Sequence, residues 1–377
     1  MDQANVVIIG GGVVGCAIAR AISARWQDVF LLEALPKIGM GASSRNSGVI
    51  HSGLYYRPGS LKAKHCVRGN QMTYEFCAAN AVSQRRTGKL VVASSPSEEG
   101  ALSALFENGR ANGLEGLRIV DRARIREREP HVEGQQAIEV PSTGILSSEE
   151  LFKAYARIAG NQGAHIVTNA LVRRLEPLGD SIRVTSDAGE IETKCLINSA
   201  GLYADEVAAL LGSNMARHKI YPVRGEYCEL VRAKQDWIRE LVYPLPHTDG
   251  LSLGVHFTKT LWGGVLIGPT ARYVDDKNNY ERDRESVEEF ARDASRLLPG
   301  IQASDLVWAH TGIRAKLIPP LGTSTTQASA GGMADFIIQR DPEFPRVVQL
   351  IGIDSPGLTS APSIAEDVRG LVAEILA

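Results

Sequence analysis

The chain has 377 residues, enough for two domains or one large composite unit at roughly 100 to 200 residues per domain. Hydrophobic residues make up 44% and charged residues 22%, and 41 basic against 43 acidic side chains leave a net charge of −2, which argues against a disordered chain and against a polyanion-binding protein. The 37 glycines follow no short period, so they point to tight turns and close backbone–ligand contacts rather than a fibrous repeat.

Val6 to Ile9 is a short β-branched run, followed by Gly10-Gly11-Gly12-Val13-Val14-Gly15 and a helix-compatible stretch from Cys16 to Ile22. A second strand, Val29 to Leu32, ends at Glu33. Cys66, Gly69, Met72, Thr73, Phe76 and Cys77 fall at helical spacing and predict a helix over 61–80 with one buried face. Lys89 to Ala93 reads as a strand, and Ser95-Pro96-Ser97-Glu98 as a capping box opening a helix that stops near Gly113. A short charged helix over Asp121 to Glu129 is closed by Pro130, and Ser147-Ser148-Glu149-Glu150 is a second capping box whose helix ends at Gln162-Gly163. Short strands are expected around Ile166, Val172, Ile182 and Ile191, then a buried run from Cys195 to Gly201. Strands dominate 219–310, among them Tyr227 to Val231, Leu251 to Phe257 and Gly264 to Ile267, with one amphipathic helix near 284–298. A last helix over 359–376 gathers Ile364, Val368, Leu371, Val372 and Ile375 on one face.

The texture is α/β at both ends and in part of the middle. It predicts a discontinuous Rossmann-like nucleotide domain over 1–86, 147–217 and 311–377, with a mainly antiparallel sheet domain inserted as 87–146 and 218–310. Overall the fold class is α/β, or α+β with both units counted. Gly10, Gly12 and Gly15 between a strand and a helix, with Glu33 21 residues after Gly12, form the dinucleotide fingerprint. Gly10 serves the tight turn, Gly12 lets backbone N–H groups approach a pyrophosphate, Gly15 allows close helix packing, and the helix N-terminus stabilises the anion. Glu33 would accept hydrogen bonds from ribose hydroxyls; these residues leave both NAD and FAD open. The stretch from Gly41 to Tyr56 is dense in glycine and hydroxyl side chains, which suits a loop wrapped around an extended cofactor or an ordinary polar surface loop.

Cys16, Cys66, Cys77, Cys195 and Cys228 are odd in number and without C-x-x-C spacing, so neither a disulfide framework nor a metal site is expected. The opening Met1 to Asn5 carries an acid where an export signal needs cations, so no signal peptide or membrane span is expected. The cytoplasm is the default location, with peripheral contact at the inner face of a membrane left open.

The run Asn46-Ser47-Gly48-Val49-Ile50-His51-Ser52-Gly53-Leu54-Tyr55-Tyr56, followed by Pro58-Gly59-Ser60-Leu61-Lys62-Ala63, resembles the hallmark of the L-2-hydroxyglutarate dehydrogenase/oxidase group in the D-amino-acid oxidase (DAO) superfamily. Further matches are Leu196 to Asp205, Pro222 to Tyr227, Leu253 to Thr258, Gly268 to Ala271, Gly312 to Arg314 and Ser355 to Thr359. The resemblance runs end to end, although the chain is shorter than typical members, which leaves the detail of the substrate pocket open. It implies FAD, held by Gly10, Gly12, Val13, Gly15, Glu33, Ala34, Ser43, Ser44, Asn46, Ser47, Gly48, His51, Val172, Ala200, Gly201, Arg314, Pro356, Gly357, Leu358 and Thr359. By residues alone Ser355 to Ser360 is a helix start. In the flavin reading its N–H groups and dipole would stabilise negative charge on the reduced ring, with hydride accepted at N5. Some similar flavoenzymes attach the flavin to a His of a comparable loop, so a covalent link to His51 is an open question.

Oxidation of a 2-hydroxy acid needs a base for the hydroxyl proton, which points to His51 and His256, and a cation for the carboxylate, for which Arg314 is the first choice. Arg45, Arg224 and Lys259 are its rivals; Tyr56, Arg224, Tyr227, His256 and Arg314 are the expected substrate contacts, with Tyr55 a further candidate. The expected activity is oxidation of a small carboxylate substrate, L-2-hydroxyglutarate to 2-oxoglutarate, with electrons passed to oxygen or a membrane quinone and no nucleic-acid partner. The competing readings are an amino-acid or secondary-amine oxidase, a glycerol-3-phosphate dehydrogenase, an NAD-dependent dehydrogenase and a flavin-binding protein without turnover.

Overall fold

The computed structural model describes residues 2–246, 253–320 and 334–377. The apolar run near the N-terminus becomes the strand Asp2–Ile9, which lies parallel to both Val29–Leu32 and Gly189–Asn198. Val6, Val7 and Ile8 have no exposed surface, as expected of a parallel strand covered on both faces. The first sheet runs Val172–Pro177, Ile182–Ser186, Gly189–Asn198, Asp2–Ile9, Val29–Leu32, His165–Val167, and Val347–Ile351 extends it from Gly189–Asn198 with Ile337–Arg340 beyond. Its helices are α1 (Val13–Ser23), α2 (Leu61–Ala79), α5 (Ser148–Asn161), α6 (Ala204–Leu210) and α8 (Gly357–Leu376), with α3 (Glu99–Ala111), α4 (Arg122–Arg128) and α7 (Val287–Ala294) belonging to the other half.

Helices α1, α2, α5 and α8 share one core with Val6, Ile8, Leu31 and Ile197. Ile364, Val368 and Val372 of α8 are buried in it, and Leu371 and Ile375 pack against it. Gly69 is where α2 crosses the start of α8: a Cβ there would lie 2.3 Å from the Thr359 carbonyl oxygen. Helix α8 begins at Gly357, two residues before the predicted start.

The second sheet runs Arg272–Tyr273, Tyr221–Leu230, Val265–Gly268, His256–Lys259, Leu241–Pro244, Lys89–Ala93, Gln136–Glu139, Arg118–Asp121, with Leu306–Lys316 on the other side of Tyr221–Leu230. Its pairings are antiparallel except that of Leu241–Pro244 with Lys89–Ala93. A third, small sheet joins Val49–Ile50 and Gln84–Arg85 to Gly144–Leu146.

Several elements differ from the expectation. The strand expected from Tyr227 is longer, Tyr221–Leu230, because it pairs along its length with Leu306–Lys316, with one register shift between Glu226 and Cys228, so a division of the chain at 310/311 falls inside a strand. The strand expected from Leu251 is observed as His256–Lys259; residues 251 and 252 lie outside the described residues. The amphipathic helix near 284–298 is the shorter α7, opened by a complete capping box of Ser286 and Glu289. The box at Ser95 and Glu98 also forms. At Ser147 only half of it does: the hydroxyl accepts from the Glu150 N–H, while the Glu150 carboxylate accepts from the Ser83 N–H. Among the described residues no helix is long and apolar enough to cross a membrane.

Candidate active site

The parallel strands of the first sheet end at a glycine turn that only glycine can make. Gly10 has φ +104°, and a Cβ there would stand 2.6 Å from the Ser199 carbonyl oxygen. A Cβ on Gly15 would stand 1.9 Å from the Gly10 carbonyl oxygen, so α1 approaches the turn as closely as the fingerprint requires. Helix α1 starts after Gly12 with neither a side-chain cap nor an acid in its first turn, and its Val13 N–H donates to Ser43 Oγ at 2.8 Å. Glu33 is buried at the end of Val29–Leu32, accepting from Gly11 N–H at 2.8 Å and from Leu35 N–H at 2.9 Å, one hydrogen bond per carboxylate oxygen. Each oxygen keeps acceptor capacity for a hydroxyl.

From this turn a cavity of about 790 Å³ runs between the two large sheets. It is lined along its length by Gly10, Gly12, Val13, Glu33, Ala34, Ser43, Asn46, Ser47, Gly48, His51, Val172, Ala200, Gly201, Pro356, Gly357 and Leu358, and at its far part by Tyr56, Tyr227, His256 and Arg314. Asn46 shapes the 42–48 turn: its amide donates to Ser43 O at 2.7 Å and its carbonyl accepts from Gly48 N–H at 2.8 Å. Helix α8 enters the wall at Pro356–Gly357, again with no side-chain cap and no acid in its first turn. Two helix N-termini without a cap from their own N-cap side chain thus border one elongated cavity, an arrangement suited to negative charge.

Four of the expected residues do not line the cavity. Gly15 acts through helix packing, as described. Ser44 is exposed and its hydroxyl donates to Gly41 O. Thr359 lies one layer back, accepting from His51 N–H at 2.9 Å and donating to Val49 O at 3.3 Å. Arg224 is fully buried against Glu226 at 2.6 Å and donates to the carbonyls of Asn279, Arg282 and Asp283; both terminal nitrogens are engaged in this clamp and the residue does not reach the cavity, so the structure does not place it as a carboxylate contact. Of the other rivals to Arg314, Lys259 donates to Gln235 O away from the cavity, and Arg45 lies in the wall with its guanidinium 4.3 Å from the Tyr280 ring centroid.

His51 and His256, separate in sequence, meet on this cavity. Burial and then the charge of Lys89 push the His51 imidazole down to about 3. Its Nδ1 is buried with no hydrogen-bond partner, and Nε2 is 3.4 Å from Ser355 Oγ. His256 Nδ1 lies 2.8 Å from Gly254 O, and its ring stacks on Tyr243 with centroids 3.7 Å apart. A carbonyl only accepts, so Nδ1 carries the proton and Nε2 keeps its lone pair. Burial pushes His256 down to about 3 against that hydrogen bond, helped by Arg314, Lys89 and His51. Both imidazoles are neutral at physiological pH. Tyr56 and Tyr227 keep their protons, pushed up by burial, and Tyr227 is within reach of Arg314.

Sequence reasoning missed a buried ion group beside the α8 turn. Asp354 pairs with Lys62 Nζ at 2.6 Å and with Lys316 Nζ at 3.0 Å, and all three line the cavity. Burial raises the Asp354 carboxyl, but the two lysines hold it below the usual carboxylate range, while burial in turn pushes the Lys316 amine down. Nothing in the sequence marked this group. Tyr243 and Tyr280, also in the wall, carried no signal either.

The fold, the glycine turn and the paired helix ends are those of a dinucleotide-binding protein, and the family match makes it an FAD-dependent oxidoreductase. The family model described as DAO, FAD dependent oxidoreductase, matches residues 5–371, and the chain belongs to this family. It is 32% identical over 399 aligned positions to an L-2-hydroxyglutarate dehydrogenase of Indibacter alkaliphilus, covering 97% of both chains. It is 31% identical to an L-2-hydroxyglutarate dehydrogenase of Escherichia coli, covering 99% of this chain and 94% of that one. Among solved structures it is similar to a dithionite-reduced L-α-glycerophosphate oxidase of Mycoplasma pneumoniae with FAD bound, at TM-score 0.87 and 25% identity, covering 99% of this chain and 95% of that one. The residues present fit FAD: Gly10 and Gly12 leave a cradle without side chains, Glu33 keeps acceptor capacity, and His51 Nδ1 is a buried polar atom without a partner. The cofactor is FAD.

Proposed function

We propose that the protein oxidises L-2-hydroxyglutarate to 2-oxoglutarate. The observation that carries this reading is the pairing, on one cavity wall, of a neutral His256 whose Nδ1 is committed to Gly254 with Arg314 as a cation free of any ion pair among the described residues. The relatives named above act as a second support for the substrate. Bound FAD supplies the hydride acceptor. Arg314 holds the C1 carboxylate and fixes the C2 hydrogen in place, Tyr227 and Tyr56 add phenolic donors, and His256 Nε2 takes the hydroxyl proton as the ketone forms. The carboxylate, the hydroxyl and the C2–H are thereby oriented by four side chains. With FAD bound, the α8 N-terminus would favour the negative charge of its reduced form, with the Lys62–Asp354–Lys316 cluster beside that turn.

The reading extends to FAD-binding and substrate-binding units divided along the two large sheets, and to oxygen or a membrane quinone as electron acceptor. It extends also to work in the cytoplasm with at most peripheral contact at the membrane, which suits five free, buried cysteines. The test is anaerobic mixing of the purified holoenzyme with L-2-hydroxyglutarate while following visible flavin absorbance. Rapid bleaching is expected. A protein that stays yellow overturns the substrate and turns attention to amino acids, sarcosine and glycerol 3-phosphate.

A further inference from the structure

Lys89 opens a strand that runs between Leu241–Pro244 and Gln136–Glu139 and has no exposed residue; Lys89 itself is 1% exposed. Its Nζ donates to Tyr55 Oη at 3.2 Å and lies 4.3 Å from the Tyr55 ring centroid and 4.8 Å from that of Tyr243. Tyr243 in turn stacks on His256 in the cavity wall. The amine is thus one aromatic layer behind the site. The groups that face it are Tyr55 from the 51–56 loop, Cys66 from α2, Tyr243 from its neighbouring strand, His51 and His256, with Arg314 beyond His256. Tyr55 and Cys66 are both pushed up by burial and stay protonated. Among the described residues no carboxylate pairs with Lys89, although a buried ammonium ordinarily requires one. Every other buried lysine or arginine named above has its acid, as Lys62 and Lys316 have Asp354 and Arg224 has Glu226.

We propose that Lys89 is a positioning residue whose missing counter-charge is the anionic ligand of the cavity: loading the site with a dicarboxylate draws a proton from solvent onto Lys89, whose charge then holds the anion while His51 and His256 stay neutral. Burial pushes the amine down to about 7, so near neutrality part of it is uncharged before loading and that charge is regained when an anion sits beyond Tyr243. Tyr55 and Tyr243 can accommodate either form, because their faces attract the ammonium and tolerate the amine. This inference rests on the carboxylate-substrate reading.

The test uses the holoenzyme and 2-oxoglutarate as the probe, with binding read from the flavin spectrum between pH 6 and 8.5. In parallel, calorimetry at pH 7.5 in two buffers of different ionisation enthalpy counts protons. The wild type is expected to take up a fraction of a proton per ligand, with Kd rising by up to about tenfold per pH unit above 7. Lys89→Arg is expected to bind tightly with a flat pH dependence, and Lys89→Met to bind at least about tenfold more weakly, also flat. Binding by the wild type without proton uptake, a measurement that needs no variant, overturns the inference. Uptake that persists undiminished in Lys89→Met overturns it as well. Absence of binding at every pH overturns the carboxylate-substrate reading and removes this inference with it.

Discussion

The backbone N–H of His51 donates to the hydroxyl of Thr359 at 2.9 Å, across 308 positions of sequence. The same hydroxyl donates to Val49 O, and the Thr359 backbone carbonyl accepts from Thr73, so one buried residue ties the His51 loop, α2 and the start of α8 together. Thr359→Val keeps the shape and removes both hydroxyl bonds, leaving the His51 N–H unpaired. It should cost about 1 to 3 kcal/mol of stability, read from chemical unfolding, and it should weaken FAD retention because the α8 turn and His51 loop lose register. Unchanged FAD affinity would show that the tie is structural alone.

Arg314 and His256 separate binding from proton transfer. Arg314→Ala removes charge-assisted hydrogen bonds of about 1.5 to 3 kcal/mol, so kcat/KM for L-2-hydroxyglutarate should drop by roughly 10- to 150-fold, mostly through KM, with FAD still bound. His256→Gln should lower kcat by about 10²- to 10⁴-fold, again with FAD bound. Wild-type turnover in either variant removes that assignment.

The glycine fingerprint, Glu33 and the α8 entry were legible because each is a local sequence–geometry rule: strand, turn, helix, acid at fixed spacing. The convergence of His51 and His256 was not, since it depends on how the His256–Lys259 strand registers against Val265–Gly268 and Leu241–Pro244. Arg224 misled for a related reason. It was a candidate cation for the carboxylate, whereas Glu226 two residues on shares its sheet face, and that period of two was the overlooked sign of an internal pair. Lys89 and the Lys62–Asp354–Lys316 group were hidden because burial of a lysine is set by tertiary packing, not by its neighbours in sequence.

The Arg224 clamp gives its own prediction. Through the carbonyls of Asn279, Arg282 and Asp283 it pins the segment that sets Asn278 and Tyr280 in the cavity wall. Arg224→Ala strands a buried Glu226 and should cost about 3 to 5 kcal/mol, and adding Glu226→Gln should recover part of it. In thermal unfolding the double variant should therefore melt above the single one. The reverse order would mean that the pair is not the source of the loss.

Acid stability should carry the signature of buried neutral histidines. His51 and His256 are pushed down to about 3 and His65 to about 4, each chiefly by burial, against about 6.5 in the unfolded chain. Each contributes stability that is present above pH 6.5 and is lost as pH falls toward its folded value, because the unfolded chain then binds the extra proton. At pH 5 the loss is about 2 kcal/mol for each histidine. Glu129 and Glu240 act with the opposite sign, since burial raises both to about 7 and folding then takes up protons between the unfolded carboxylate range and that value. The net slope mixes the two groups, so the readout is a difference. His65, in α2 with Nδ1 3.0 Å from Ser363 Oγ, is outside the cavity wall. Urea unfolding of His65→Gln and wild type, at pH 5 and pH 7 with FAD in fixed excess, should show the variant losing about 2 kcal/mol less between the two pH values. Equal losses would mean that His65 is protonated in the folded protein, paired with Asp367 at 3.7 Å, and that burial does not keep it neutral.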